Sequence, residues 1–188
     1  MKVSKLVLIL IISFQSWVKA DNIEDFKIEG MSIGDSALDY YSKDKLMNNK
    51  VNWYKKDDFY AVAFEVKNSN FEAIQIHFKK DDENFIIQSV GGMILSYSDI
   101  KECHELKKKL ENVVISDFNL DRDKINRYER AHPADPTGKS TTSETFLNVD
   151  NGNIYIACFD LDKNLGPKNF RLVANTSEIN KFYEGGLK

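Results

Sequence analysis

With 188 residues, 26 basic and 29 acidic side chains and a formal charge of −3, the chain is too acidic to read as a general binder of phosphate backbones. Apolar residues make up 42%, enough for one buried core, and two cysteines alone exclude a disulfide-dense scaffold. No nucleic-acid partner and no cofactor is expected.

The first twenty residues read as an export signal. Lys2 and Lys5 precede an apolar run from Leu6 to Phe14, and Val18-Lys19-Ala20 ends in small residues where a signal peptidase cuts. The run is shorter than the roughly 20 residues of a bilayer crossing. A retained anchor is the alternative reading, and no stable membrane span is expected. Removing residues 1–20 takes away Lys2, Lys5 and Lys19, leaving 23 basic against 29 acidic residues and a charge of about −6. The expected location is periplasmic or secreted. In such an oxidising compartment Cys103 and Cys158 are expected to form one disulfide.

Residues 21–188 then read as a single domain. Near its start Gly30 and Gly34 punctuate, Asp35 or Ser36 is placed to cap one short helix, and Ser42 to cap a second. Tyr60, Val62, Phe64 and Val66 alternate with Phe59, Ala61 and Ala63 as in a strand. Residues 71–95 form a hairpin: Ile74, Ile76 and Phe78 alternate, Asp81-Asp82-Glu83 interrupts, and Phe85 to Val90 resumes. Gly91-Gly92 predicts a bulge or bend. Ile100, Cys103, Leu106, Leu110, Val113 or Val114, and Phe118 recur at helical spacing in one long helix capped at Ser98.

Apolar periodicity then stops, and 119–144 reads as a long polar loop containing Pro133 and Pro136. It resumes in a hairpin around Asn151-Gly152, with a further strand at 170–173. Asn175 with Glu178 reads as the capping box of a last helix. This order predicts an α+β fold: an antiparallel sheet of about six strands, as two three-stranded meanders, with one long helix and short terminal helices on one face.

The run Ile28-Glu29-Gly30-Met31-Ser32-Ile33-Gly34-Asp35-Ser36 resembles the signature of a family of uncharacterised exported proteins of marine bacteria. The resemblance extends through Cys103, Gly138-Lys139-Ser140 and Cys158 and implies no activity. More distantly, Gly30-Met31-Ser32 before two short helices and a meander is similar to periplasmic outer-membrane-assembly and β-lactamase-inhibitor-like modules. Those modules bind proteins and catalyse nothing, although this chain lacks their lipidated cysteine.

Several motifs invite chemistry. His77, His104 and His132 are never at metal-ligand spacing, and His77 reads as a strand residue facing solvent. Cys103 and His104 are adjacent on a helix and point apart, which argues against a nucleophile pair. Gly138-Lys139-Ser140-Thr141 lacks the glycine a phosphate loop needs five residues earlier, where Pro133 stands. Asp160, Asp162 and Asn164 alternate as in a calcium loop, but Gly166 comes one residue late and Arg171 replaces the closing acid. No metal and no catalytic residue is therefore assigned.

Arg122, Arg127 and Arg130, three of four arginines, cluster with Tyr128 inside 119–144. Guanidinium forks bind carboxylate or phosphate, so these four are the candidate binding residues, and local pairing with the interleaved Asp121, Asp123 and Glu129 is the alternative use of the arginines. The expected function is a non-enzymatic module binding another envelope protein. The alternative is a hydrolase or small-ligand site under the 119–144 loop.

Overall fold

The computed structural model describes residues 20–51, 53–54 and 57–186, so all of the expected signal peptide but Ala20 lies outside the described residues. Helix α1 (Lys43–Asn48) leads into β1 (Lys50–Val51), β2 (Phe59–Glu65), β3 (Ala73–Lys79) and β4 (Ser89–Tyr97). Helix α2 (Ile100–Asp117) leads into β5 (Ile125–Ala131), β6 (Thr141–Val149), β7 (Gly152–Asp160) and β8 (Lys168–Thr176), and α3 (Ser177–Gly186) follows. A helix and a four-stranded meander thus occur twice. The meanders join where β4 pairs antiparallel with β8, giving one sheet in the order β1-β2-β3-β4-β8-β7-β6-β5.

Eight strands in one sheet correct the expectation of about six. The additional strands are the two-residue β1 and the seven-residue β5. The latter occupies the stretch read as a polar loop; the irregular part of 119–144 shrinks to a turn at 122–124 and a connection at 132–140. The helices also do not share one face, as α3 lies opposite α2.

The period of two explains both faces. On one, Val62, Ile76, Val90, Ala174, Ile154 and Leu147 stand in register across six strands, all fully buried. Helix α2 covers this face over β6, β7 and β8, burying Cys103 and Val114. Its cap is Asp99, not Ser98: Lys101 N–H donates to Asp99 Oδ1 at 3.0 Å. The N-terminal segment covers the other half with Ile28, Met31, Ile33 and Leu46. Gly34 and Ala37 donate main-chain bonds to Ile87 and Phe85, so 85–87 leaves the sheet to pair with this segment.

Gly91 and Gly92 sit in regular register, and the irregularity lies between Ile94 and Tyr97. At Gly92 a Cβ would stand 2.5 Å from the Phe71 ring; close packing, not a bulge, requires the glycine. Cys103 of α2 and Cys158 of β7 are bridged, Cα to Cα 6.0 Å. The disulfide ties the long helix to the sheet beneath it.

Candidate functional site

The second face of the sheet is covered only in part, and the registers lay it out in rows. The first row runs Ala61, His77, Ser89, Asn175, Asn153 and Asn148. Helix α3 closes over it: Ile179 and Phe182 pack on Phe59 beside Tyr54, and Glu178 pairs with Lys79 at 2.6 Å. His77 is therefore 1% exposed, not solvent-facing as expected. Tyr54 Oη lies 2.7 Å and Gln75 Nε2 3.1 Å from His77 Nε2, with Tyr183 Oη at 3.3 Å. Burial holds the imidazole neutral, at about 3, and burial also pushes the Tyr183 phenol up. Ser89 Oγ donates to Asn175 Oδ1 at 2.8 Å, so Asn175 serves the sheet; the α3 cap is Thr176, whose Oγ1 accepts from Ile179 N–H at 3.2 Å.

The next two rows are open. One runs Ala63, Gln75, Gly91, Val173, Tyr155 and Phe146; the other Glu65, Ala73, Met93, Arg171, Ala157, Glu144 and Tyr128. Small residues at Ala63, Ala73 and Gly91 lower the floor. Trp53, Met93, Leu95 and Arg171 rise around it to line a shallow groove of about 470 Å³. Trp53 is 52% exposed and Leu95 36%. Arg171 lies with its guanidinium 4.9 Å from the centre of the Phe159 ring. Among the described residues no carboxylate is within ion-pair distance of it.

Towards β5 the face turns polar. Tyr155 Oη donates to Glu144 Oε1 at 3.0 Å, and Arg130 Nη2 lies 2.5 Å from Glu144 Oε2. Burial raises the Tyr155 phenol, and the Glu144 charge adds to it.

The four residues singled out from the sequence do not form one cluster. Alternation along β5 sends Tyr128 and Arg130 to the open face and Arg127 to the α2 face, while Arg122 stands exposed in the turn at 122–124. Arg127 Nε donates to Glu111 Oε2 at 3.0 Å. Glu111 also accepts from Lys107 Nζ at 2.7 Å and from Thr145 Oγ1. Burial pushes the Glu111 carboxyl up, but the bonds from Lys107, Thr145 and Arg127 outweigh it and hold the group below its ordinary range. The cluster locks α2 to β5 and β6. Within 119–144, Ile125–Ala131 is thus an edge strand of the sheet and not part of a loop.

The remaining motifs are structural. Ile28 and Met31 bridge through a turn at Glu29 and Gly30, both at positive φ, and Asp35 Oδ2 accepts from Ser32 N–H and Tyr40 Oη. Hydrogen bonding to Asp35 pushes the Tyr40 phenol up to about 12. In the 132–140 connection Asp135 accepts from Thr137 and Ser140, which hold its carboxyl low and use the site a phosphate would need. Asp162 caps Asn164, and Asp160 pairs with Lys168, so the alternating oxygens of that loop are spent internally. Among the described residues no group of three His, Cys, Asp or Glu side chains could hold a metal.

Sequence reasoning missed Trp53, Met93, Leu95 and Arg171. Arg171 had a signal: a charge inside an apolar run, opposite in parity to Phe170 and Leu172, must face away from the core. No protein-family model, no curated protein and no solved structure matches this chain.

Proposed function

We propose that the chain is a non-catalytic module of the cell exterior whose open sheet face docks another envelope protein. One observation carries the reading: an exposed guanidinium with no carboxylate partner among the described residues stands on an aromatic ring beside an uncovered, mainly apolar groove. Exposed apolar surface beside a desolvatable arginine is how protein-binding hot spots are built. The groove is shallow and lined mainly by apolar side chains, whereas a small-molecule site encloses its ligand and converges polar groups on it. The partner's matching surface offers an apolar side chain to Trp53 and Leu95 and an acidic or carbonyl group to Arg171.

Export is supported by the Cys103–Cys158 disulfide, and no described helix is long and apolar enough to cross a membrane. The twofold helix-and-meander layout also fits the module resemblance noted above.

The test is retention of envelope proteins on the immobilised chain. A variant with Leu95→Asp and Arg171→Glu is expected to lose a protein the parent retains, whereas Val113→Asp, on exposed α2 surface, keeps it. Equal retention by all three would refute the reading.

A further inference from the structure

We infer that β5 is a self-pairing edge, through which two copies of the chain join their sheets antiparallel about Tyr128. This inference stands on the strand itself and not on what the open face binds.

Strand β5 ends the sheet and, among the described residues, pairs with β6 alone. His132 N–H donates to Ser140 O at 2.8 Å, one step beyond the Ala131 and Thr141 pair. At the other side of the meander Ser177 N–H donates to Asn151 O at 2.9 Å. Carried through the registers of β8, β7 and β6, both bonds give the same alternation in β5. The main-chain groups of Asn126, Tyr128 and Arg130 face β6. Those of Ile125, Arg127, Glu129 and Ala131 face outward. The seven residues contain no proline, so this edge presents an unbroken row of donors and acceptors.

A second copy laid antiparallel with its dyad at Tyr128 sets Arg127 opposite Glu129, Ile125 opposite Ala131 and Asn126 opposite Arg130, each in both directions. Outward positions then meet outward positions, and every such pair exchanges two main-chain hydrogen bonds. Moving the dyad to Arg127 or to Glu129 also aligns outward groups, but it sets like charges opposite each other, which is destabilising. Of these three registers, the one at Tyr128 alone satisfies both main chain and side chains.

The side chains are placed for it. Glu129 is exposed and has no ion-pair partner among the described residues of one copy. Arg127 binds Glu111 through Nε with its side chain still 54% exposed, leaving its terminal nitrogens for Glu129 of the second copy. Tyr128 is 49% exposed and edges onto Phe146 at 5.9 Å. At the dyad it occupies a non-hydrogen-bonded pair, where facing side chains come closest. Helix α2 sits over β6 and β7. Two β6 strands would be three strand spacings apart, roughly 14 Å, which leaves room for both helices. The joined sheet makes the two open faces continuous.

Sedimentation equilibrium of the purified chain tests this. The mass is expected to rise from one copy to two with concentration, and amide exchange at Arg127 and Glu129 to slow with it. Glu129→Pro removes an outward donor and no bond to β6, so it should raise the dissociation constant at least about tenfold with the melting temperature held. Tyr128→Cys, on the dyad, should form an intermolecular disulfide, and Asn126→Cys should not; this pair decides the matter if the proline variant fails to fold. One-copy mass up to about 1 mM, a dimer indifferent to Glu129→Pro, or equal cross-linking at 126 and 128 would overturn the proposal.

Discussion

Arg171 stands directly across from Met93 at the junction of the two meanders, its guanidinium over the Phe159 ring. A cation at the seam of a sheet, exposed and facing away from the core, adds little to folding. Arg171→Ala is accordingly expected to leave the unfolding midpoint within about 0.5 kcal/mol of the parent, measured in urea. The same substitution should weaken partner binding by about 2 kcal/mol, the scale of a hot-spot residue.

The disulfide is expected to matter far more. Cys103 and Cys158 are 55 residues apart, so bridging them restrains the unfolded chain by roughly 4 kcal/mol on the chain-entropy account. Replacing both by Ser should lower the calorimetric melting temperature by about 8–16 °C. A shift of only a degree or two would mean that α2 is held by packing alone.

His77 should make the fold acid-sensitive. Tyr54, Gln75 and Tyr183 surround it and none is an acid, so nothing compensates a proton on the ring. Its folded value, about 3, lies below the ordinary 6.5, so the unfolded chain binds a proton that the folded chain refuses. Stability is full above 6.5 and falls as pH drops through that window. Between pH 7.5 and pH 5 the loss should be about 2 kcal/mol by urea denaturation. The Glu111 carboxyl, held low, contributes in the same direction but only at more acid pH. His77→Gln should flatten the difference.

What could be read from the sequence follows from one-sided burial. β3 was legible because Ile74, Ile76 and Phe78 fill the core, and the β6–β7 hairpin because Asn151-Gly152 marks its turn. β5 was not legible, since its core-face partner is the charged Glu111 and its other face is open; Ile125 is its one large aliphatic residue. The row under α3 was missed for a related reason. Ser89, Asn175 and Asn153 satisfy one another, and His77 bonds to Tyr54 and Gln75, so a buried row carries a polar pattern. Tyr128 and Arg130 stood out in the sequence and lie on the open face, but the register that brings Trp53, Leu95 and Arg171 to one groove did not show there.

The Lys107–Glu111 pair should respond unevenly to mutation. Glu111→Gln leaves Lys107, whose side chain is 9% exposed, without its counter-charge. A loss of about 3 kcal/mol is expected, by urea denaturation. Replacing both by Met and Leu should cost much less, because an apolar pair of similar volume needs no desolvation of charge.

The open face is tested most directly by photo-cross-linking in the source cells. Leu95 and Val113 are similarly exposed apolar residues, at 36% and 43%, one on the open face and the other on the outer surface of α2. A photoreactive side chain at Leu95 is expected to capture one discrete envelope protein, and Arg171→Glu to abolish the capture, while the same group at Val113 captures nothing in common with it. Capture from Val113 with silence at Leu95 would contradict the account.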